Sequence, residues 1–535
     1  MNAAQIIANG LAGAGCRHAF GMPGGEVLAL LDALRVAGIE FTLVKHENAG
    51  GYMAEGSWHA TGAPGILLAT IGPGVSNAVN TVANAYQEQV PLIVLTGCIS
   101  HAMVEQFTHQ VIDHAALFSP VTKATLRVDQ GTAALTVDKA LSIALSDPPG
   151  PVLLELPDEY LDAAHWQEPD RAPAAPKLTE AGNWAEDSKT MQQARDMLRK
   201  AEKPVVLAGL GAIHHTAGPA ILELAEKHQV PVVTTYKAKG ILPEDHPMAL
   251  GGHGLSPLSD KTILPLLAQS DCVILAGYDP IEMRSDWINP WQPENAIEIM
   301  HAANEHGMHG AAVRFVGDVA QALSALGAPD GPVWPDGEPA VAKGELENAF
   351  AIPNHWGPHQ LFATLKSALP DGAITTVDTG AHRILLNQIW RCERPNTLLQ
   401  SAAFCSMGVA VPLAIGYKRA APDVPVVAVA GDAGFDMVAG DLATLRDLQL
   451  PLVIVVPIDN SLALIEKKQT AMQLNTYGVQ FAGSDIPAIA RAYGGIGEVI
   501  HSKDELLSAL TNAWVRNTFT VLACPIDKSA YNGAF

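Results

Sequence analysis

The chain has 535 residues, 48% of them hydrophobic and 6% aromatic, with 33 basic against 55 acidic side chains and a formal net charge of −22. That length exceeds what one core can use and implies about two to four domains. The acidic balance argues against nucleic acid and against an anionic membrane surface as partners, while leaving room for a small anion held locally by backbone N–H groups and a metal.

Met1 to Phe20 reads as an amphipathic helix; it lacks the basic stretch and unbroken apolar core of a signal peptide. No apolar run approaches the length of a membrane span. Strand patterns follow at Phe41–Lys45, Gly65–Thr70 and Leu92–Thr96, with helical stretches between them. Asp162 to Trp184, rich in Ala, Pro and charge, reads as a linker. The next strands are Val205–Ala208, Val230–Thr235 and Cys272–Ala276, and Gly209-Leu210-Gly211 reads as a structural strand–helix turn. Ala328 to Glu345, with repeated Pro and Gly, reads as a second linker. The last piece carries strands Ile374–Val377, Val424–Ala430 and Leu452–Val456. The expected domains are therefore 1–165, 185–327 and 346–535.

Alternating strands and helices imply the α/β class, here three doubly wound parallel-sheet domains, with ligands at the carboxyl ends of the strands. The first and third pieces are candidates for a shared architecture, although no sequence identity between them is evident. Six cysteines, Cys16, Cys98, Cys272, Cys392, Cys405 and Cys524, lie far apart without a Cys-x-x-Cys pair. That usage fits a reducing cytoplasm, and Cys98, Cys272 and Cys524 read as buried small hydrophobes.

The densest chemistry lies between Val424 and Asn460. A strand ends in Gly431-Asp432-Ala433-Gly434, a helix follows, and the next strand stops at Asp459-Asn460. Small residues let the main chain approach a ligand, and the helix start offers free N–H groups to a phosphate. Asp432 and Asn460 add oxygen ligands of the kind Mg²⁺ takes between protein and phosphate. Singly, each reads as a helix cap or turn residue; together, on consecutive strands, they say more.

With twenty-seven residues between Asp432 and Asn460, the stretch resembles the diphosphate–Mg²⁺ motif of thiamine-diphosphate enzymes. Its Gly-Asp-Ala form is similar to that of acetolactate synthases. Other segments resemble the family in order: FGMPGGEVLALLDAL (Phe20–Leu34), VKHENAGGYMAEG (Val44–Gly56), TIGPGVSN (Thr70–Asn77), HQVIDHAALFSPVTK (His109–Lys123) and CSMGVAVPLAIG (Cys405–Gly416). The resemblance covers essentially the whole chain.

It implies a pyrimidine-binding first domain, a central Rossmann-like domain and a diphosphate-binding third domain. Asp432 and Asn460 would ligate the metal through side chains and Leu462 through its carbonyl. Glu47 would be the carboxyl group against the coenzyme's aminopyrimidine, and Gln110 and Gly25 would lie near the reacting carbons. Met407 would wedge beneath the bent coenzyme and the Cys405 carbonyl would accept from its amino group. Pro23, Gly24, Gly72, Asn77, His382, Ala433 and Gly434 complete the implied contacts. Gly380-Ala381-His382 departs from the family's Gly-Gln-His, and His109-Gln110-Val111 from its Phe-Gln-Glu. Active sites shared between two chains, a homodimer or homotetramer, are implied as well.

Two matches bear on the reaction. GYDPIEMRSDW (Gly277–Trp287) and IDNSLALIEKKQ (Ile458–Gln469) resemble the catabolic, FAD-independent acetolactate synthases. The expectation is decarboxylation of a 2-oxo acid, pyruvate first, with carboligation to a second carbonyl and without FAD. Ile71, Ala463 and Leu464 differ from the usual pocket residues, which keeps open a decarboxylase or carboligase with a bulkier donor or acceptor. A silent coenzyme-binding scaffold is disfavoured by the joint presence of Glu47, Asp432 and Asn460.

Overall fold

The structure is a computed structural model that describes all residues except 101, 162–187 and 305. The whole of the first linker expected from composition, 162–184, lies outside the described residues. Among the described residues no helix is long and apolar enough to cross a membrane.

The β-branched and leucine-rich runs form three six-stranded, all-parallel sheets. The first holds β1 (His18–Met22), β2 (Glu40–Leu43), β3 (Gly65–Ala69), β4 (Leu92–Cys98), β5 (Ala124–Arg127) and β6 (Val152–Pro157), in the order β2-β1-β3-β4-β6-β5. The second holds β7 (Pro204–Ala208), β8 (Val232–Thr234), β9 (Ala249–Gly252), β10 (Cys272–Ala276), β11 (Ala296–Met300) and β12 (Val313–Val316), in the order β12-β11-β10-β7-β8-β9. The third holds β13 (Ile374–Val377), β14 (Leu398–Gln400), β15 (Val426–Val429), β16 (Val453–Ile458), β17 (Ile496–Val499) and β18 (Thr520–Pro525), in the order β14-β13-β15-β16-β18-β17. Strand for strand, the first and third orders are the same. Chain reversal in both falls between the first and third strands, β1/β3 and β13/β15. Such a crevice is where a parallel sheet opens to a ligand.

Central strands such as β3, β4, β10 and β15 are buried throughout, as sheets covered on both faces require. One apolar core runs from the first sheet into the third. Phe20, Tyr52, Met53 and Leu67 share it with Leu413, Ile415, Val426 and Phe519. The join is a helix crossing. Helix Glu47–Thr61 is buried from Ala49 to Ser57, starts on a His46 ring that accepts from the Asn48 N–H, and ends at Gly62 with φ 76°. Helix Ala410–Ala420 lies against it so closely that a Cβ on Gly416 would sit 1.9 Å from the Met53 carbonyl oxygen. A Cβ on Gly56 would sit 2.1 Å from that of Leu413. Only glycine permits this backbone contact.

The second sheet docks on the third through buried polar contacts. Lys239 Nζ donates to Glu244 Oε1 at 2.7 Å and to the Asn387 carbonyl at 2.8 Å. The Glu244 carboxylate in turn accepts from the Cys392 N–H at 2.5 Å.

The second linker expected from composition differs from what forms. Trp334 is buried and donates its indole N–H to the Pro204 carbonyl at 2.6 Å. A helix then runs from Glu338 to Ala349 with Pro339 in its first turn, burying Ala342 and Leu346. Pro and Gly mark the helix start here rather than a free tether. The Gly209–Gly211 turn is structural as expected: a Cβ on Gly209 would lie 2.5 Å from the Gly277 carbonyl.

Gly416→Ala is expected to destabilise the chain by about 1–3 kcal/mol, because the helix pair has no space to yield. Gly13, with nothing within 4 Å of its notional Cβ, supplies the control: Gly13→Ala should change stability by less than about 0.5 kcal/mol. Thermal unfolding of both variants, followed by circular dichroism, checks the contrast.

Candidate active site

Two groups of residues gather at the two crevices. In the first sheet, β1 runs into Pro23-Gly24-Gly25 and β3 into Thr70-Ile71-Gly72. Glu26 ties these turns together: its Oε1 accepts from Thr70 Oγ1 at 2.7 Å and from the Ile71 N–H at 2.8 Å. Gly72 has φ 67°, and a Cβ there would meet the Gln110 carbonyl oxygen at 2.2 Å. Its N–H donates to His114 Nε2 at 3.2 Å, while His114 Nδ1 lies 3.1 Å from Glu155 Oε1. The imidazole therefore carries its proton on Nδ1 and holds the turn through Nε2. Gln110 itself is exposed, with φ 61°.

Glu47 is the first residue of its helix and is buried, 4% exposed. Its Oε2 accepts from Asn77 Nδ2 at 3.0 Å, and a Cβ on Gly74 would lie 3.1 Å from its Oε1. The carboxyl group thus faces the turn between Thr70 and Asn77. Pro23, Gly24, Gly25, Glu47, Gly72, Asn77 and Gln110 are all part of this edge or of turns tied to it.

The third sheet builds the other group. Asp432 opens helix Asp432–Val438 directly after β15 and is buried. Its Oδ1 accepts from the Ala433 N–H at 2.8 Å. Its Oδ2 accepts from the N–H groups of Asp459 at 3.1 Å and Asn460 at 2.7 Å. So Asp432 welds the end of β16 to the end of β15, which explains why two adjacent strands stop in small polar residues. Burial raises its pKa, against those three donors. Asp459 is pushed up to about 7, by burial and then by the Asp432 charge. Asn460 has φ 54°, and its Oδ1 lies against Gly483, 2.3 Å from where a Cβ would be. The Leu462 carbonyl accepts from the Ile465 and Glu466 N–H groups at 2.8 and 3.0 Å. In this conformation it serves the start of helix Ala463–Ala471, so ligating a cation would require it to turn outward or to share.

A cavity lies beside Asp432, lined by His382, Met407, Ala433, Gly434, Leu462, Ala463 and their neighbours. Every lining residue falls between 379 and 531; Glu47 and the first-sheet turns are not among them. His382 is buried and neutral, its pKa pushed down to about 3 by burial and by Arg383, and its Nε2 has no partner.

Sequence reasoning missed Asp378. It follows β13, is 1% exposed, and accepts from the N–H groups of Thr379, Gly408 and Val409 at 2.8, 2.9 and 3.3 Å. Burial pushes its pKa up to about 6 against those donors. A Cβ on Gly434 would strike its Oδ2 at 2.2 Å. Asp378 thereby fixes the main chain just after Met407. A carboxylate at a strand end was the available signal, but two of its three partners, Gly408 and Val409, lie 30 and 31 residues away. Cys405 has φ 58°, and its sulfur accepts from Arg383 at 3.2 Å. Glu466, in the segment matched to the catabolic enzymes, pairs with Lys528 and anchors the C-terminal turn.

The residues fit a diphosphate and a cation on three counts. A buried carboxylate stands at a helix start in a sheet crevice. An unpartnered imidazole nitrogen borders the same cavity. Acidic groups crowd there without a basic partner in hydrogen-bond contact with Asp432. A competing cluster, Glu298, His306 and His309, has ligand atoms within 4.8 Å of one another. However, Arg314 lies 2.7 Å from Glu298 Oε2, His309 Nε2 3.0 Å from Oε1, and His306 Nδ1 accepts from the Met308 N–H. Glu298 is thus already committed to an ion-pair network, although His309 Nδ1 has no hydrogen-bond partner.

Comparison with known proteins follows the same division. The family models described as thiamine pyrophosphate enzyme N-terminal TPP binding, central and C-terminal TPP binding domains match residues 1–117, 191–326 and 378–524. The chain is 30% identical over 541 residues to an acetolactate synthase of Bacillus subtilis (strain 168), covering 98% of this chain and 93% of that protein. It is 29% identical over 550 residues to a probable acetolactate synthase large subunit of Methanocaldococcus jannaschii, covering 98% and 92%. Against the acetolactate synthase isozyme 2 large subunit of Escherichia coli (strain K12) the identity is 28% over 518 residues, covering 95% and 93%.

Asp432→Ala is expected to leave the sheet folded and to abolish retention of a divalent cation. Manganese content per chain after dialysis against thiamine diphosphate and limiting Mn²⁺, measured by plasma mass spectrometry, reads this directly; wild-type content in the variant would remove Asp432 from the site.

Proposed function

Because the chain belongs to the thiamine-pyrophosphate-dependent enzymes, in their acetolactate-synthase-like group, we propose that it decarboxylates a 2-oxo acid, pyruvate first, and joins the remaining fragment to a second carbonyl. Thiamine diphosphate, when bound, supplies the electron sink that lets a 2-oxo acid lose carbon dioxide and leaves a nucleophilic carbon. The protein's part is to hold, orient and protonate. The observation that carries the reading is the buried Asp432 carboxylate, fixed by three backbone donors at the crevice of the third sheet beside the His382 imidazole.

On this reading Asp432, Asn460 and Leu462 hold Mg²⁺, and His382, Ala433 and Gly434 face the diphosphate. Met407 and the Cys405 carbonyl support the bent coenzyme. Glu47, aimed by Asn77, holds the proton that the pyrimidine ring exchanges. Gln110 and Gly25 lie near the reacting carbons, and Pro23, Gly24, Gly72 and Asn77 contact the coenzyme. Residues 1–165 bind the pyrimidine and 346–535 the diphosphate, with 185–327 between them.

A lining drawn wholly from the third sheet's residues, with Glu47 on the first, supports a site completed by a second copy of the chain, as a homodimer or a pair of dimers. The turn after β7 packs against the His301 ring, 2.3 Å from a notional Cβ on Gly211, and with the resemblance of Gly277–Trp287 to the FAD-independent enzymes this supports work without FAD. Five of the six free cysteines are buried, which suits the cytoplasm. Ala463 is small and borders the cavity beside Leu464 and Ile465, and this favours, as a second reading, a bulkier donor than pyruvate.

Incubation with thiamine diphosphate, Mg²⁺ and a panel of 2-oxo acids tests the proposal by carbon dioxide release and mass spectrometry. Acetolactate from pyruvate supports it. Acetaldehyde alone, or turnover only of larger acids, supports the second reading. Bound coenzyme with no turnover of any acid would overturn both. Glu47→Gln should lower the rate by about 10²–10⁴, the usual contribution of a positioned acid–base group, while circular dichroism stays unchanged.

A further inference from the structure

The segment Ser401–Val409 carries Cys405 and Met407 and contains a non-glycine residue at φ 58°. Left-handed backbone at such a residue costs of order 1–3 kcal/mol and persists where its surroundings over-determine it. Asp378 holds one end. The other end is held from a different sheet. Glu88 follows helix Val79–Gln87 of the first sheet's layer and is 1% exposed. Its Oε1 accepts from the N–H groups of Ala403 at 2.9 Å and Phe404 at 3.0 Å, and lies 3.1 Å from Ser401 Oγ. That hydroxyl also lies 2.7 Å from Asn84 Oδ1 and accepts from the Ser406 N–H at 3.1 Å. Arg383 binds the Ser401 carbonyl and the Cys405 sulfur. A third element reaches in from the second sheet's layer. Lys237 ion-pairs with Glu88 and donates to the Glu88 carbonyl at 3.0 Å, while its own N–H donates to buried Glu282 at 3.2 Å.

We propose that Glu88 is a positioning residue: with its charge compensated by Lys237, it clamps Ser401–Phe404 and so holds Cys405 and Met407 in the conformation that receives the coenzyme. A buried carboxylate accepting from two backbone donors is among the stronger fasteners a protein has, and a single oxygen meeting two consecutive N–H groups fixes a turn rather than a side chain. The carboxylate lies in one domain, its counter-ion in a second and the loop in a third, so the loop's shape depends on how all three are docked. The role of Cys405 and Met407 in binding the coenzyme rests on the proposed function; the clamp itself does not.

The test uses the full-length enzyme. Backbone amide exchange of residues 401–409 is followed by mass spectrometry without coenzyme, and thiamine diphosphate affinity is then measured with Mg²⁺ by quenching of tryptophan fluorescence. Glu88→Ala should speed exchange at Ala403–Ser406 by at least about tenfold, as loss of a charged acceptor implies, and weaken coenzyme binding by a similar factor, with exchange in β7–β12 unchanged. Glu88→Ala leaves Lys237 unpaired, so a second variant is needed. Glu88→Gln/Lys237→Met keeps an oxygen acceptor, removes the stranded cation, and should return both readouts to within about threefold of wild type, the range expected when a neutral acceptor replaces a charged one. Unchanged loop exchange in Glu88→Ala, exchange raised uniformly through the chain, or failure of the double variant to restore the loop would each overturn the clamp. Faster loop exchange in a chain whose wild type takes up no thiamine diphosphate would uphold the clamp and sink the coenzyme reading alone.

Discussion

The backbone contact between helices Glu47–Thr61 and Ala410–Ala420 is the constraint on which the rest depends. Gly56 and Gly416 bring the two main chains together at distances no side chain allows, and a continuous apolar core closes around them. Each helix begins at a residue group to which the proposed function gives a chemical task. Glu47 opens the first, and Gly408 and Val409, held by Asp378, precede the second. Packing two helices as one rigid pair therefore sets where both of these starts lie. Protein interiors are dense enough that such a pair transmits position rather than absorbing error.

The first and third sheets solve the same topological problem in the same strand order, yet they spend their crevices differently. In the first, Glu26 and His114 hold neighbouring turns with side-chain acceptors, so that backbone N–H groups are consumed and Glu47 stays facing the turn. In the third, Asp378 and Asp432 do the holding, and each gathers three N–H groups. Burial raises both carboxyl groups while those donors oppose the shift. Both crevices are thus lined with carboxylates, Glu26, Glu47 and Glu155 at the first and Asp378, Asp432 and Asp459 at the third.

What could be read in advance was local. β-Branched runs flanked by glycine gave the strands to within a residue or two at β3, β10 and β13, because a fully buried parallel strand leaves little choice of residue. Asp432 stood out because its whole context, strand, tight turn and helix, lies within Val426–Val438. Glu88 and Asp378 did not, since a lone acid after a helix or strand looks the same whether it faces water or a loop three hundred residues away. Pro and Gly misled at 328–345, where they start a helix anchored by Trp334. The commitment of the Leu462 carbonyl to helix Ala463–Ala471 is likewise a matter of geometry that residue type does not encode.

The electrostatics of the third crevice make a further step possible. Asp432 and Asp459 are both raised, chiefly by burial, and the Asp432 charge adds to the burden of Asp459. Asp436 lies close enough to push Asp432 the same way. A diphosphate group brought to this helix start alone would gain from the N–H groups and the dipole, worth about 0.3–1 kcal/mol per charge at ordinary exposure. It would also meet two partly desolvated carboxylates of its own sign. A divalent cation reverses that balance, because it becomes the largest local charge and keeps the same carboxyl groups ionised. On the proposed function, cation and diphosphate would bind as a pair, each weak without the other, and the acidity that would repel the anion would recruit its counter-ion.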